Sequence, residues 1–307
     1  MNNKIAKAHL ALFAAGCLWG LMSPVGKLAM DAGISGISLA AMRMIGGAVC
    51  FWTASLFAPK EKVAKRDFVK LFFAALLAIV FNQGLFILGL SLTSPVDATI
   101  ITTSLPIITL ILAALFLKEP ATPMKIAGVV IGAAGALILI ISNHTGSGIY
   151  GNVLGDLFCL FAQISFACYL TIFRGFIGRY HILTLMKWMF TYAALCFIPL
   201  SWNSLSEMMK SSFPTAVWLE IGYVVLFGTF FAYLLIMVGQ KTLRPTLVSM
   251  YNYVQPIVGT VVSVWLGVGS FGWMKAFASV LIFIGVYIVT QSKSREQYRK
   301  EVTRIKS

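Results

Sequence analysis

Trp19, Asn82, Gln83, Gln163, Asn252 and Gln255 are amide-bearing or amphipathic side chains set inside long apolar stretches, and the hydroxyls of Thr102, Thr103 and Tyr233 occupy similar positions. Burying such a group in hydrocarbon is costly unless it meets a partner or water, so these residues point to a polar path or to contacts between helices. Neutral donors and acceptors bind and release a solute; they do not attack it. Two series run at three- and four-residue steps along one helical face: Ser249, Asn252, Tyr253, Pro256, Gly259, Thr260 and Ser263, and Thr99, Thr102, Thr103, Pro106 and Thr109. Pro106 and Pro256 each remove a backbone donor and free the carbonyl four residues earlier, on Thr102 or Asn252, which suits a kink or gate in the path. The alternative is a kinked packing helix whose freed groups are met by neighbouring hydroxyls, with each amide in an interhelical hydrogen bond.

Arg43 lies about 10 Å into its apolar stretch and is the one basic residue placed to meet a substrate carboxylate, with snorkelling to the headgroups as the other reading. Lys27, Lys187 and Lys275 are closer to stretch ends and read as snorkelling. Acids are absent from the middle of every stretch. Ser94-Pro95-Val96-Asp97 has the form of a helix start, and Asp156 and Glu220 fall in outer thirds, so no carboxylate is placed as a proton carrier. His9, His144 and His181 are scattered, and neither H-E-x-x-H nor paired intramembrane carboxylates occur, so no catalytic group, metal site or cofactor is expected. The five cysteines, Cys17, Cys50, Cys159, Cys168 and Cys196, all sit in apolar segments and read as small hydrophobes.

The elements that carry these residues are membrane spans. Of 307 residues, 59% are hydrophobic and 11% charged, against roughly a quarter charged in soluble domains. Stretches of about 20 apolar residues, enough to cross a 30 Å hydrocarbon core, occur at 8–30, 34–57, 68–90, 95–117, 124–142, 151–173, 182–200, 215–239, 246–267 and 271–291. The net charge of +14 would suggest nucleic acid in a soluble protein. Its placement argues for topology instead, because 19 of the 24 basic residues fall on one side if both termini are cytoplasmic. Trp202, Trp218, Trp265 and Trp273 fall at expected outer ends, where indoles settle among headgroups. Residues 292–307 form a basic cytoplasmic tail, read as a topology anchor with anionic-lipid binding as the alternative.

The chain also resembles itself. At an offset of 150 residues Gly89 meets Gly239, Pro95 meets Pro245, Pro106 meets Pro256, Lys125 meets Lys275 and Gly135 meets Gly285. At an offset of 147, Trp19-Gly20 lies opposite Phe166-Ala167 and Lys27 opposite Arg174. Two repeats, 1–142 and 143–291, follow; an odd number of spans in each forces the second to enter from the opposite side, giving two inverted five-helix halves suited to alternating access.

Ten spans, two repeats, Trp19-Gly20 in span 1, Gly155-Asp156-Leu157 opening span 6 and the paired prolines together resemble the drug/metabolite transporter superfamily of EamA type. The resemblance implies a multi-pass permease of a bacterial-type inner membrane that exports amino acids or related small neutral or zwitterionic metabolites. It covers nearly the whole chain. A family-like Leu-x-x-x-Glu ending is present as Leu115 to Glu119, but its counterpart after span 9 reads Leu266-Gly267-Val268-Gly269, without the acid. Arg43 matches a basic residue the family often carries in span 2. The expected partners are a small-molecule substrate and the lipid bilayer, with the chain a monomer or, through the Gly128, Gly132 and Gly135 series, a dimer. A receptor or scaffold without flux, or an intramembrane enzyme, are the rival readings; flux in proteoliposomes separates them.

Overall fold

Residues 3–93, 98, 101–143, 153–265 and 272–292 are described by a computed structural model, and every regular element among them is helical. The Ser94 to Asp97 start, Thr99, His144 and the tail beyond Ser292 lie outside the described residues. Helix α1 covers Asn3–Asp31 and α2 Gly36–Ser55, joined by a short turn in which Gly33 takes φ of 104°, a conformation that favours glycine. The Ser35 hydroxyl then caps α2 by accepting from the Ser38 amide at 3.2 Å. Helix α3 runs Lys65–Leu92, α4 Leu105–Leu117, α5 Pro123–Asn143, α6 Val153–Ile172, α7 Ile182–Lys210 and α8 Thr215–Thr242. Helix α9 is made of Pro245–Met250 and Val254–Trp265 joined by the tight turn Tyr251–Tyr253, and α10 is Trp273–Gln291.

Six of these helices, α1, α2, α3, α6, α7 and α8, are long and apolar enough to cross a membrane, and α4, α5 and α10 contribute shorter apolar helices. Their outward faces carry Leu10, Leu115, Phe116, Leu195, Phe277 and Phe283, each half or more exposed. An apolar exterior on this scale is stable only against lipid. The protein is therefore an all-helical, multi-pass membrane protein.

Helix α7 extends beyond the expected span 182–200 to Lys210, so the stretch after Trp202 is helical where a connection was anticipated. Leu205, Glu207, Met208 and Lys210 are good helix formers, and Met208 is buried, so packing on one side keeps the added turns wound.

The contact pattern has an internal symmetry. Helix α1 packs on α8 and α9, while α6 packs on α3 and α4; α2 packs on α7 and α5 on α10. Exchanging each helix for the one five places on leaves this pattern unchanged. Each half thus places its first helix against the other half's third and fourth.

The Gly128, Gly132 and Gly135 series lies inside this bundle. Cβ atoms there would meet the Gly285 carbonyl, the Tyr253 ring and the Ala278 carbonyl at 2.9, 2.7 and 2.8 Å, so the absent side chains let α5 and α10 touch backbone to backbone.

Candidate functional site

Two local departures from the α-helix shape the centre of the bundle. Helices α3 and α8 widen into π-helical turns at Leu76–Gly84 and Leu226–Phe231, whose first residues are 150 apart in the chain. Such turns leave carbonyls displaced from the regular ladder and available to side chains. Helix α4 begins at Leu105 after a turn at Thr103 and Ser104, with Pro106 in its first turn, and α9 is broken at Tyr251–Tyr253 just before Pro256. Both prolines thus stand at helix restarts, where a missing amide hydrogen costs little.

Helix α1 is drawn into this region by glycine. A Cβ on Gly20 would lie 3.0 Å from the Gln255 carbonyl and 2.8 Å from Val258, so only a bare backbone allows α1 to approach α9 here.

The result is a small cavity lined by Trp19, Met22, Asn82, Gln83, Phe86, Thr102, Gln163, Phe166, Asn252 and Gln255. It lies among α1, α3, α6 and α9 and the residues leading into α4, drawn from both halves. Seven of the ten expected substrate contacts therefore share one cavity. Its apolar wall, Met22, Phe86 and Phe166, was not singled out beforehand, although the repeat already set Phe166 opposite Trp19.

Arg43, Thr103 and Tyr233 are not among the lining residues. Arg43 does not snorkel: it is fully buried, donates from Nε to the Thr229 hydroxyl at 2.9 Å and from Nη2 to the Gly228 carbonyl at 3.4 Å. The Trp19 indole donates to that same carbonyl at 3.1 Å. Tyr233 packs edge-on against Trp19 with centroids 5.8 Å apart and donates to the Ala78 carbonyl at 3.0 Å. Both carbonyls belong to the π-helical turns, so Arg43 and Tyr233 behind the cavity wall and Trp19 within it fasten the widened segments, and Arg43 keeps a buried Nη1 without a partner. Thr103 is buried in the turn before α4.

Within the cavity the amides differ in their commitments. Asn82 donates to the Ala162 carbonyl at 2.9 Å and accepts from Gln83 at 2.5 Å. Gln83 keeps a buried carbonyl oxygen without a partner. The side chains of Gln163, Asn252 and Gln255 make no hydrogen bond among the described residues.

A second polar cluster closes the end of the bundle that carries Asn3. Glu119, just beyond α4, accepts from Lys125 at 3.0 Å and from Thr246 at 3.3 Å, all three side chains being buried. Nearby, Arg174 donates to the Leu243 carbonyl and Arg244 to the Ser292 carbonyl, at 2.5 and 2.9 Å. Burial draws the pKa of both guanidinium groups below the ordinary value, and Glu119 pulls it back. Glu119 was visible as a motif ending; its grip on α5 and α9 needed the fold.

The EamA-like transporter family profile matches residues 6–141 and again 153–291. A WAT1-related protein of Arabidopsis thaliana is 23% identical over 97% of this chain and 87% of its own length. The transporter YyaM of Bacillus subtilis is 24% identical over 74% of each chain, and the inner membrane transporter YedA of Escherichia coli 23% over 91% of each. A solved crystal structure superposes with a TM-score of 0.74 over 93% of this chain and 96% of its own, at 18% identity, and so shares the fold.

Proposed function

The chain belongs to the EamA-like transporter family, and from that premise we propose that it exports small neutral or zwitterionic metabolites, amino acids first among them, by alternating access. In this reading ten spans form two inverted halves, 1–142 and 143–291, in a bacterial-type inner membrane, with both termini and the tail 292–307 in the cytoplasm. The observation that carries it is the placement of the cavity: residues of both halves line one space, and helix restarts at Pro106 and Pro256 stand beside it at corresponding positions.

Trp19, Asn82, Gln83, Thr102, Gln163, Asn252 and Gln255 are the proposed solute contacts. Arg43 and Tyr233 join the site through the layer behind it, and Thr103 stands in the turn next to Thr102. Pro106 and Pro256 are the proposed pivots, because a helix restart bends without breaking a regular hydrogen bond. The direction of transport rests on family likeness. Counterflow of radiolabelled amino acids and nucleosides in proteoliposomes tests the reading: saturable exchange supports it, and binding without exchange would assign a receptor.

A further inference from the structure

A furrow runs along the lipid-facing side of α2 and α7. Its floor is made of small side chains, Ala48, Thr191 and Ala194, and its walls are Val49, Trp52 and Leu195, which are 60, 40 and 61% exposed. An empty furrow would forfeit dispersion contacts on one side of every floor atom. In a bilayer the material at hand to fill it is an acyl chain.

One end of the furrow is aromatic and basic. Trp52 stands one turn before the end of α2 at Ser55, and Lys187 about 8 Å past the start of α7 at Ile182, so this end is within reach of the headgroups. The Trp52 indole donates to the Thr191 hydroxyl at 2.9 Å, and the Lys187 ammonium lies 4.7 Å from the centre of the Trp52 ring. Trp188 packs edge-on against Trp52 and Phe68, with centroids 5.3 and 4.9 Å away, which sets the start of α3, with the exposed Lys65 and Arg66, beside the same end. Among the described residues Lys187 makes no ion pair. The acids nearby are engaged: Asp67 accepts from Tyr180 at 2.8 Å and pairs with Lys70 at 3.2 Å, and Glu61 accepts from the His181 amide at 2.8 Å. A cation held over an indole at this depth keeps N–H donors for an anionic acceptor.

We propose that the furrow is a site for one anionic phospholipid of the phosphatidylglycerol type, with its phosphate on Lys187 above Trp52 and one acyl chain laid between Val49 and Leu195. The charge of the site selects the headgroup: a choline would bring a second cation among Lys187, Lys65 and Arg66, and a glycerol brings none.

Native mass spectrometry of the purified full-length protein, titrated in detergent with phosphatidylglycerol or with phosphatidylcholine of the same acyl chains, tests the proposal. The first phosphatidylglycerol should bind several-fold more tightly than the first phosphatidylcholine, and Lys187→Gln should weaken it about fivefold. Ala48→Leu, which fills the furrow, should weaken both lipids; Thr53→Phe does the same from the exposed rim if Ala48→Leu fails to fold. Excess inorganic phosphate should displace neither lipid. Equal affinity for the two lipids, or a preference that Lys187→Gln leaves unchanged, would overturn the proposal. So would displacement by inorganic phosphate, or lipid binding indifferent to the furrow variants. A protein dimer that forms as lipid is withdrawn, and that Ala48→Leu abolishes, would give the furrow to a second copy of the chain and overturn it as well.

Discussion

Lys125 and Glu119 meet at 3.0 Å with only 1% and 8% of their side chains exposed, so an ion pair between residues six apart in sequence is sealed inside the bundle. Removing one member of a buried pair costs about 3–5 kcal/mol, because the other charge is stranded, whereas replacing both by apolar groups is often close to neutral. Glu119→Gln should therefore lower the melting temperature in detergent by several degrees. Adding Lys125→Met to it should recover most of that loss. A double variant no better than Glu119→Gln alone would show that the carboxylate matters chiefly to Thr246.

Arg43 yields a sharper test than its sequence position suggested. A guanidinium in contact with solute would make Arg43→Gln harm a carboxylate-bearing solute more than its amide. Held on Thr229 and Gly228, Arg43 instead sets the Trp19 carbonyl partner. Arg43→Gln should therefore slow exchange of both by similar factors and shift tryptophan fluorescence. Selective loss of the carboxylate would return Arg43 to direct contact.

Orientation follows from the distribution of basic residues. Ser212 and Ala64 are both exposed and lie in connections on opposite expected sides. In a cysteine-free background Ser212→Cys should react with an impermeant maleimide in intact cells, and Ala64→Cys only after lysis. The opposite pattern would invert the topology.

Helices α5 and α10 leave no room for a methyl group. A Cβ at Gly285 would sit 2.6 Å from the Gly128 carbonyl and 2.7 Å from the Gly132 nitrogen, backbone atoms that cannot move aside singly. Gly285→Ala should cost roughly 1–3 kcal/mol of stability as overpacking. If the glycine series served a dimer, the same change would dissociate dimers and leave monomer melting unaltered.

Much of this architecture could be read beforehand, because a hydrocarbon solvent writes its thickness into the chain. The apolar stretches and the polar positions Asn82, Gln163 and Asn252 stand out against their surroundings for that reason. The π-helical turns were not readable: Leu76 to Phe81 is a uniformly apolar run whose composition suits a regular helix equally well. The set-back of Arg43 and Tyr233 was hidden too, since periodicity gives a face but no depth behind a wall. The added turns of α7 were obscured because Ser and Asn around Trp202 resemble a loop in composition.

The widened turns also make the cavity sensitive to chain length. Each accommodates more residues per turn than the α-helix around it, so a one-residue deletion within Ile79 to Phe81 would let α3 close into a regular helix. Closing the wide turn removes the residue it had accommodated, so side chains beyond the deletion would keep their facing while the displaced carbonyls return to the regular ladder. The Ala78 carbonyl would be withdrawn from Tyr233, loosening the layer behind the cavity, while the chain kept its hydrophobic length and its capacity to span the membrane. In homologous proteins of this fold, single-residue gaps at this point would be a sign of altered solute choice, even where every lining residue is retained.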